Sequence, residues 1–270
     1  MKSSLDLTLF KELDRCHRNS LSISPKAKIK VINNAQSPSN IVIEVKSINR
    51  YLQQMAGNDI EDKSMAIIAQ SVNLNGFDRY EREVAARVIH ACADPTILET
   101  LSFSDGSVAK AVNCLANSRA KVITDVEMTR RALYWRETIC GLDQVETPDQ
   151  NKTRTQTGIE NALLESPSDP IVVIGCAPTA LYSVIELWEK ERIDPTLVVA
   201  LPVGFVGAAE AKKLLQESEI PQISNIGPRG GSAMTAAAFN AIARMAKGSF
   251  VLEEALNRIT PKANETRRPK

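Results

Sequence analysis

Residues 171–216, IVVIGCAPTALYSVIELWEKERIDPTLVVALPVGFVGAAEAKKLLQ, decide the fold. IVVIG (171–175) and TLVVALP (196–202) are short apolar runs without polar alternation, as expected of strands covered on both faces. Between them, Leu181, Val184, Ile185 and Trp188 fall at i, i+3, i+4 and i+7, which is one face of a helix. Pro178 suits that helix's first position. A glycine-bearing turn, GFVG, then opens a second helical stretch, AAEAKKLLQ. Strand, helix and strand in immediate succession demand right-handed crossovers. The fold class is therefore α/β, with a mostly parallel sheet between helix layers.

The same pattern continues outward. KVITDV (121–126) and IPQIS (220–224) predict two more buried strands. SDGSVAKAVNCLAN (104–117) sets Val108, Val112 and Leu115 on one face, with Ser104 as a plausible N-cap. RYEREVAARVIHAC (79–92) predicts a further helix. Outside this regular block the character changes. Residues 1–50 carry nine Lys/Arg against four Asp/Glu. They read as a basic N-terminal extension in which only IVIEV (41–45) resembles a strand and NNAQSPSN (33–40) is a polar loop. The α/β domain is expected over 51–256, and 257–270 as a polar, disordered tail.

Composition excludes several classes. With a net charge of +1, nothing global points to nucleic acid. No apolar run approaches the roughly 20 residues of a membrane span. The opening MKSSLDLTLFKELDR lacks the apolar core of a signal peptide, so the expected location is the cytoplasm. The five cysteines (Cys16, Cys92, Cys114, Cys140, Cys176) are scattered without CxxC or clustered histidine. Neither a metal site nor a disulfide framework is expected, and buried free thiols are the reading.

In such sheets ligands bind beyond the carboxyl ends of the strands. GCAPT (175–179), PVGFVG (202–207) and GPRGGS (227–232) fall at those ends. None carries G-x-G-x-x-G or G-x-x-x-x-G-K-[ST], so a nucleotide-dependent enzyme fares badly. Gly204 and Gly207 either permit a tight turn or, with Phe205 and Val206 between them, form a backbone anion site at a helix start. In GPRGGSAM, Gly230 and Gly231 let the backbone approach a ligand, and Ser232 can cap the following helix. Arg229 is either solvated or a planar fork for carboxylates.

His90 lies off the apolar arc of Val84, Ala85, Val88, Ile89 and Cys92, on the side of Glu83 and Arg87. It is a surface histidine or, if functional, a proton donor kept protonated by its place at a helix C-terminus. Asp125, after KVITDV, is either an active-site acid or a structural turn residue. His17 lies in the polar N-terminal block and reads as incidental.

Taken together, RVIHACADP, ITDVEM, IGCAPTAL, LPVGFVGAAEAKK and PRGGSAMTAAAFNA resemble the precorrin-8X methylmutase family of corrin biosynthesis over roughly residues 51–250. The resemblance implies a flavodoxin-like three-layer α/β/α fold and a homodimer with pockets near the subunit interface. It implies migration of a methyl group from C-11 to C-12 of precorrin-8X or cobalt-precorrin-8, with no cofactor and no protein-bound metal. By that resemblance His90 is the catalytic histidine. Thr153 and Arg154, in NKTRTQTG, match a threonine-arginine substrate motif. Gly204, Phe205, Val206, Gly207, Arg229, Gly230, Gly231 and Ser232 match substrate loops. The family usually carries asparagine where this chain has Cys176, and 140–154 is shorter and more polar than its counterpart. These departures motivate an alternative, a non-catalytic corrinoid- or tetrapyrrole-binding protein derived from the family.

Overall fold

The run-and-turn pattern of 171–216 is realised in a computed structural model that describes residues 57–117, 121–147, 149–166 and 168–259. IVIEV, the 33–40 loop, Cys16, His17 and the 261–270 tail lie outside the described residues. The helices are α1 (Gly57–Ser71), α2 (Arg79–Cys92), α3 (Ser107–Ala116), α4 (Glu127–Ala132), α5 (Arg154–Leu164), α6 (Pro178–Glu189), α7 (Ala208–Glu217), α8 (Ser232–Met245) and α9 (Val251–Ile259). The strands are β1 (Leu101–Phe103), β2 (Val122–Thr124), β3 (Thr138–Cys140), β4 (Ile171–Ile174), β5 (Leu197–Ala200) and β6 (Gln222–Asn225).

They form one sheet in the order β1-β6-β5-β4-β2-β3. All neighbours are parallel except β1, which runs antiparallel on β6 with Ser102 opposite Ser224. The five parallel strands, counted along the chain, stand in the order 2-1-3-4-5, which is the flavodoxin arrangement. Side chains alternate between two cores. Ile171, Val173, Leu197 and Val199 face α1, α2, α3, α8 and α9, whereas Val172, Ile174, Val198 and Ala200 face α5, α6 and α7. Each buried Val or Ile contributes roughly 1.5–3 kcal/mol, so two-sided burial explains the unbroken apolar runs.

Three local expectations are corrected. The helix over 104–117 is capped by Gly106, at φ 64, and not by Ser104. The Ser104 hydroxyl accepts the Gln222 amide at 3.0 Å, which commits it to the sheet edge. The strand read at 220–224 begins at Gln222 instead, because Pro221 has no amide to give the ladder. β1 and β3 have no apolar signature because each is a three-residue edge strand. Cys140 is buried and free, as read, but Cys176 is exposed.

Candidate functional site

In this strand order the chain leaves β2 for β3 on one side and returns to β4 on the other. At such a switch point, here between the carboxyl ends of β2 and β4, doubly wound sheets bind their ligands. Asp125 stands there, fully buried. Its carboxylate accepts five bonds: from the amides of Val126 (2.9 Å), Gly175 (3.3 Å), Cys176 (2.7 Å) and Ala177 (2.8 Å), and from the Thr129 hydroxyl (2.9 Å). The structural reading of Asp125 prevails, because no lone pair is left aimed at a ligand. Its buried charge is compensated by amides that would otherwise be orphaned at the start of α6.

Gly175 is obligatory here. A Cβ on it would lie 2.7 Å from Thr129 Oγ1 and 2.8 Å from Ser232 Cα. This close approach lets the Ser232 hydroxyl pair with Thr129 at 3.0 Å. Ser232 therefore does not cap α8, as the sequence suggested. Gly231 occupies the cap position without a side-chain bond, and Ser232 is spent on the switch point. The Cys176 loop is held entirely through its backbone, so its side chain is left exposed. Partial desolvation at its inner edge, and then Asp125, push the thiol above its ordinary pKa, which keeps it protonated at neutral pH.

The two glycine loops form one unit. The Gly231 amide donates to the Leu201 carbonyl at 2.7 Å, and the Gly204 amide to the Pro228 carbonyl at 3.1 Å. Gly230, at φ +154, would place a Cβ 2.1 Å from Leu201 O, so no other residue fits. Gly207, at φ +80, caps α7. Between Gly204 and Gly207, Phe205 is 100% and Val206 88% exposed, a bare apolar projection beside polar loops.

Arg229 is not a free fork. Nη2 pairs with Asp94 at 2.6 Å and Nη1 donates to Thr96 at 3.1 Å. The ion pair is half-exposed, and it fastens the glycine loop to the turn that follows α2. His90 stands in the last turn of that helix; its imidazole is exposed, and its Nδ1 lies 2.7 Å from Ser64 Oγ on α1. The expected protonated form is corrected. Partial burial, then the Arg87 and Arg244 cations, hold His90 below its ordinary pKa, so the ring is neutral at pH 7. Nor is the helix face beside it solvated. Glu83 is buried, accepting the amides of Leu252 and Glu253 at 3.0 and 2.9 Å, and Arg87 is buried against Glu61.

On the opposite side of the switch point the N-termini of α5 and α6 meet. Thr153 caps α5 in a capping box with Gln156, and its hydroxyl lies 2.9 Å from that of Thr179 on α6. Thr155 joins them at 3.1 Å. Arg154, the first residue of α5, is exposed and has no bonded partner among the described residues. The segments read from the sequence are thus joined, from Asp94 through Arg229, Gly231, Ser232, Thr129 and Asp125 to Cys176. Thr179 and Ser64 carry no sequence motif, whereas Lys212 is marked by the helix face it shares with Ala208, Ala211 and Leu215.

Glu127, Cys140 and Asp143 bring possible ligand atoms within 4.8 Å of one another. The Glu127 carboxylate, however, is bonded to Arg130 and Arg131. Among the described residues no helix is long and apolar enough to cross a membrane.

Strand order and loops together define a doubly wound α/β protein with glycine turns at its strand ends and without a nucleotide-phosphate signature. The sequence model of the precorrin-8X methylmutase family matches residues 59–245. The cobalt-precorrin-8 methylmutase of Methanocaldococcus jannaschii is 34% identical over 203 residues, covering 71% of this chain and 95% of that protein. The precorrin-8X methylmutase of Pseudomonas aeruginosa is 37% identical over 199 residues, covering 69% and 95%. The crystal structure of precorrin-8X methylmutase from Thermus thermophilus superposes with a TM-score of 0.63 at 31% identity, covering 70% of this chain and 98% of that one. The chain belongs to the precorrin-8X methylmutase family, and is an isomerase of cobalamin biosynthesis. These relatives lend no support to a non-catalytic binding protein.

Proposed function

We propose that this chain moves a methyl group from C-11 to C-12 of precorrin-8X, giving hydrogenobyrinate, or of cobalt-precorrin-8, giving the cobalt product. The observation that carries the reading is the coincidence of two independent facts. The family match spans 59–245, and within that span the loops of Cys176, Gly204 and Gly230 follow the carboxyl ends of β4, β5 and β6. The reaction is an internal transfer: one C–CH3 bond breaks, another forms, and no oxidant or reductant is consumed.

His90 is the catalytic residue. In the tautomer in which Ser64 donates to Nδ1, the neutral ring carries its proton on Nε2 and offers it to the ring system as methyl migration shifts electron density. Arg154 binds a peripheral carboxylate, supported by its exposure and lack of a partner among the described residues, with Thr153 beside it. Cys176, Gly204, Phe205, Val206, Gly207, Gly230, Gly231 and Ser232 line the macrocycle's seat. Arg229 contributes through the guanidinium N–H groups not taken by Asp94 and Thr96. A homodimer with pockets near its interface would cover Phe205 and Val206, which a monomer leaves in water. The enzyme works in the cytoplasm.

Incubation of the purified chain with precorrin-8X and, separately, cobalt-precorrin-8 tests this, followed by absorption spectra. Conversion of at least one substrate is expected, and its rate with each settles which form is used. Binding of both without spectral conversion would refute the catalytic assignment.

A further inference from the structure

Lys212 is among the largest fully buried side chains of the described residues, at 0% exposure. It lies on α7, and its ammonium donates to Asn225 Oδ1 at 3.0 Å and to the Arg229 carbonyl at 2.7 Å. Asn225, also fully buried, gives the same carbonyl a second bond from Nδ2 at 3.0 Å. Neither acceptor of Lys212 is charged. An apolar residue would suit this position on the core face of α7, so a lysine there calls for a reason. The carbonyl it grips belongs to the residue before Gly230, the glycine packed against Leu201. The next amide, Gly231, closes the bond that joins the two glycine loops.

We propose that Lys212 is a positioning residue of the substrate site, whose buried ammonium clamps the Arg229 carbonyl and holds the Gly230–Gly231 turn in the shape that receives the macrocycle. The inference deepens the methylmutase reading and rests on it. A charged donor bonds a carbonyl about twice as strongly as a neutral one, so the clamp weakens when the amine loses its proton. Burial alone lowers the Lys212 pKa from 10.5 to about 8. The titratable groups on the surrounding elements are Glu210, Lys213 and Glu217 on α7, Tyr182, Glu186 and Glu189 on α6, and Arg229 with its partner Asp94 at the loop. None of them adds to that shift. The sign separates a local clamp from general stabilisation. The folded value lies below the unfolded one, so between about 8 and 10.5 the unfolded chain binds more protons. Global stability from this group therefore rises with pH while the clamp loosens.

The test is amide hydrogen exchange of residues 226–232 in the full chain, corrected for intrinsic rates, from pH 7 to 9.5, in the parent and in Lys212→Met. Absorbance titrations with hydrogenobyrinate and with its cobalt form accompany it. In the parent, loop protection and affinity are expected to fall as pH rises through about 8. In Lys212→Met, folded by circular dichroism, protection at pH 7 should be about tenfold lower and independent of pH, and binding about tenfold weaker. Parental protection and affinity in the variant, or a flat parental profile across this range, would overturn the proposal. If Lys212→Met fails to fold, the parent's own pH series decides. If the loop behaves as expected but the parent binds neither hydrogenobyrinate nor its cobalt form, the clamp stands and the methylmutase reading falls.

Discussion

Asp94 and Arg229, 135 residues apart in the chain, meet at 2.6 Å between Oδ2 and Nη2. The pair joins the turn after the helix of His90 to the loop of Gly230 and Gly231. Bonds from the Thr96 hydroxyl and amide, and then Arg229, hold the Asp94 carboxyl below its usual range. The link thus persists into mild acid. It also divides labour between the two arginines of the site, since one is structurally engaged and Arg154 is not.

Arg154→Ala is therefore expected to weaken hydrogenobyrinate binding about tenfold or more while leaving thermal stability unchanged, as loss of one charge-assisted bond implies. Arg229→Ala should weaken binding and also raise the exchange rates of the 227–231 amides. Equal loop exchange in both variants would contradict the division.

His90→Ala should keep the fold and lose about 10²- to 10⁴-fold in turnover, the usual range for a general acid or base. Proton NMR of the parent should show the imidazole titrating below 6.5, and Arg244→Met should move the midpoint back toward it. The folded value is depressed, so the stability His90 contributes is complete above 6.5 and is lost as pH falls through the folded midpoint. A parental midpoint at or above 6.5 would contradict the depression, and one above neutral pH would restore the protonated reading.

Asp125→Asn should destabilise the chain by on the order of 3 kcal/mol, measured by urea unfolding. One of its two oxygens is lost, and buried amides of the Gly175–Ala177 loop go unpaired at about 1–3 kcal/mol each. A loss below about 0.5 kcal/mol, a typical surface effect, would show that solvent reaches this loop.

Gly230→Ala and Gly227→Ala make a matched comparison. Both glycines have positive φ, but a Cβ at Gly227 meets nothing within 4 Å, whereas at Gly230 it meets Leu201 O at 2.1 Å. Gly227→Ala should cost only backbone strain of about 1 kcal/mol. Gly230→Ala must separate the two loops, so product binding should fall sharply. The contrast is read from binding and melting curves measured side by side.

Cys176→Asn should leave the melting temperature within a degree or two and turnover at or above the parent's. The loop is anchored by the Cys176 amide, not by its thiol, and the side chain is exposed. A large loss of activity would mean that the thiol has a role which an amide cannot fill.

The sequence by itself determined the layered α/β class. Uninterrupted Val and Ile runs at 171–174 and 197–200 are stable only with both faces covered, and the 3.6-residue spacing of Leu181, Val184, Ile185 and Trp188 is a local property. It also placed the glycine turns at the strand ends, because Gly207 and Gly230 hold conformations that other residues rarely adopt. Only the tertiary structure decided what the polar residues do. Asp125, Ser232, Arg229 and Lys212 all bind partners contributed by other segments of the chain. Side-chain hydrogen bonds depend on which backbone amides and carbonyls folding brings within 3 Å, and local spacing carries no record of that. The same holds for charge: His90 at a helix end reads as a cation until burial and two arginines from α2 and α8 keep it neutral.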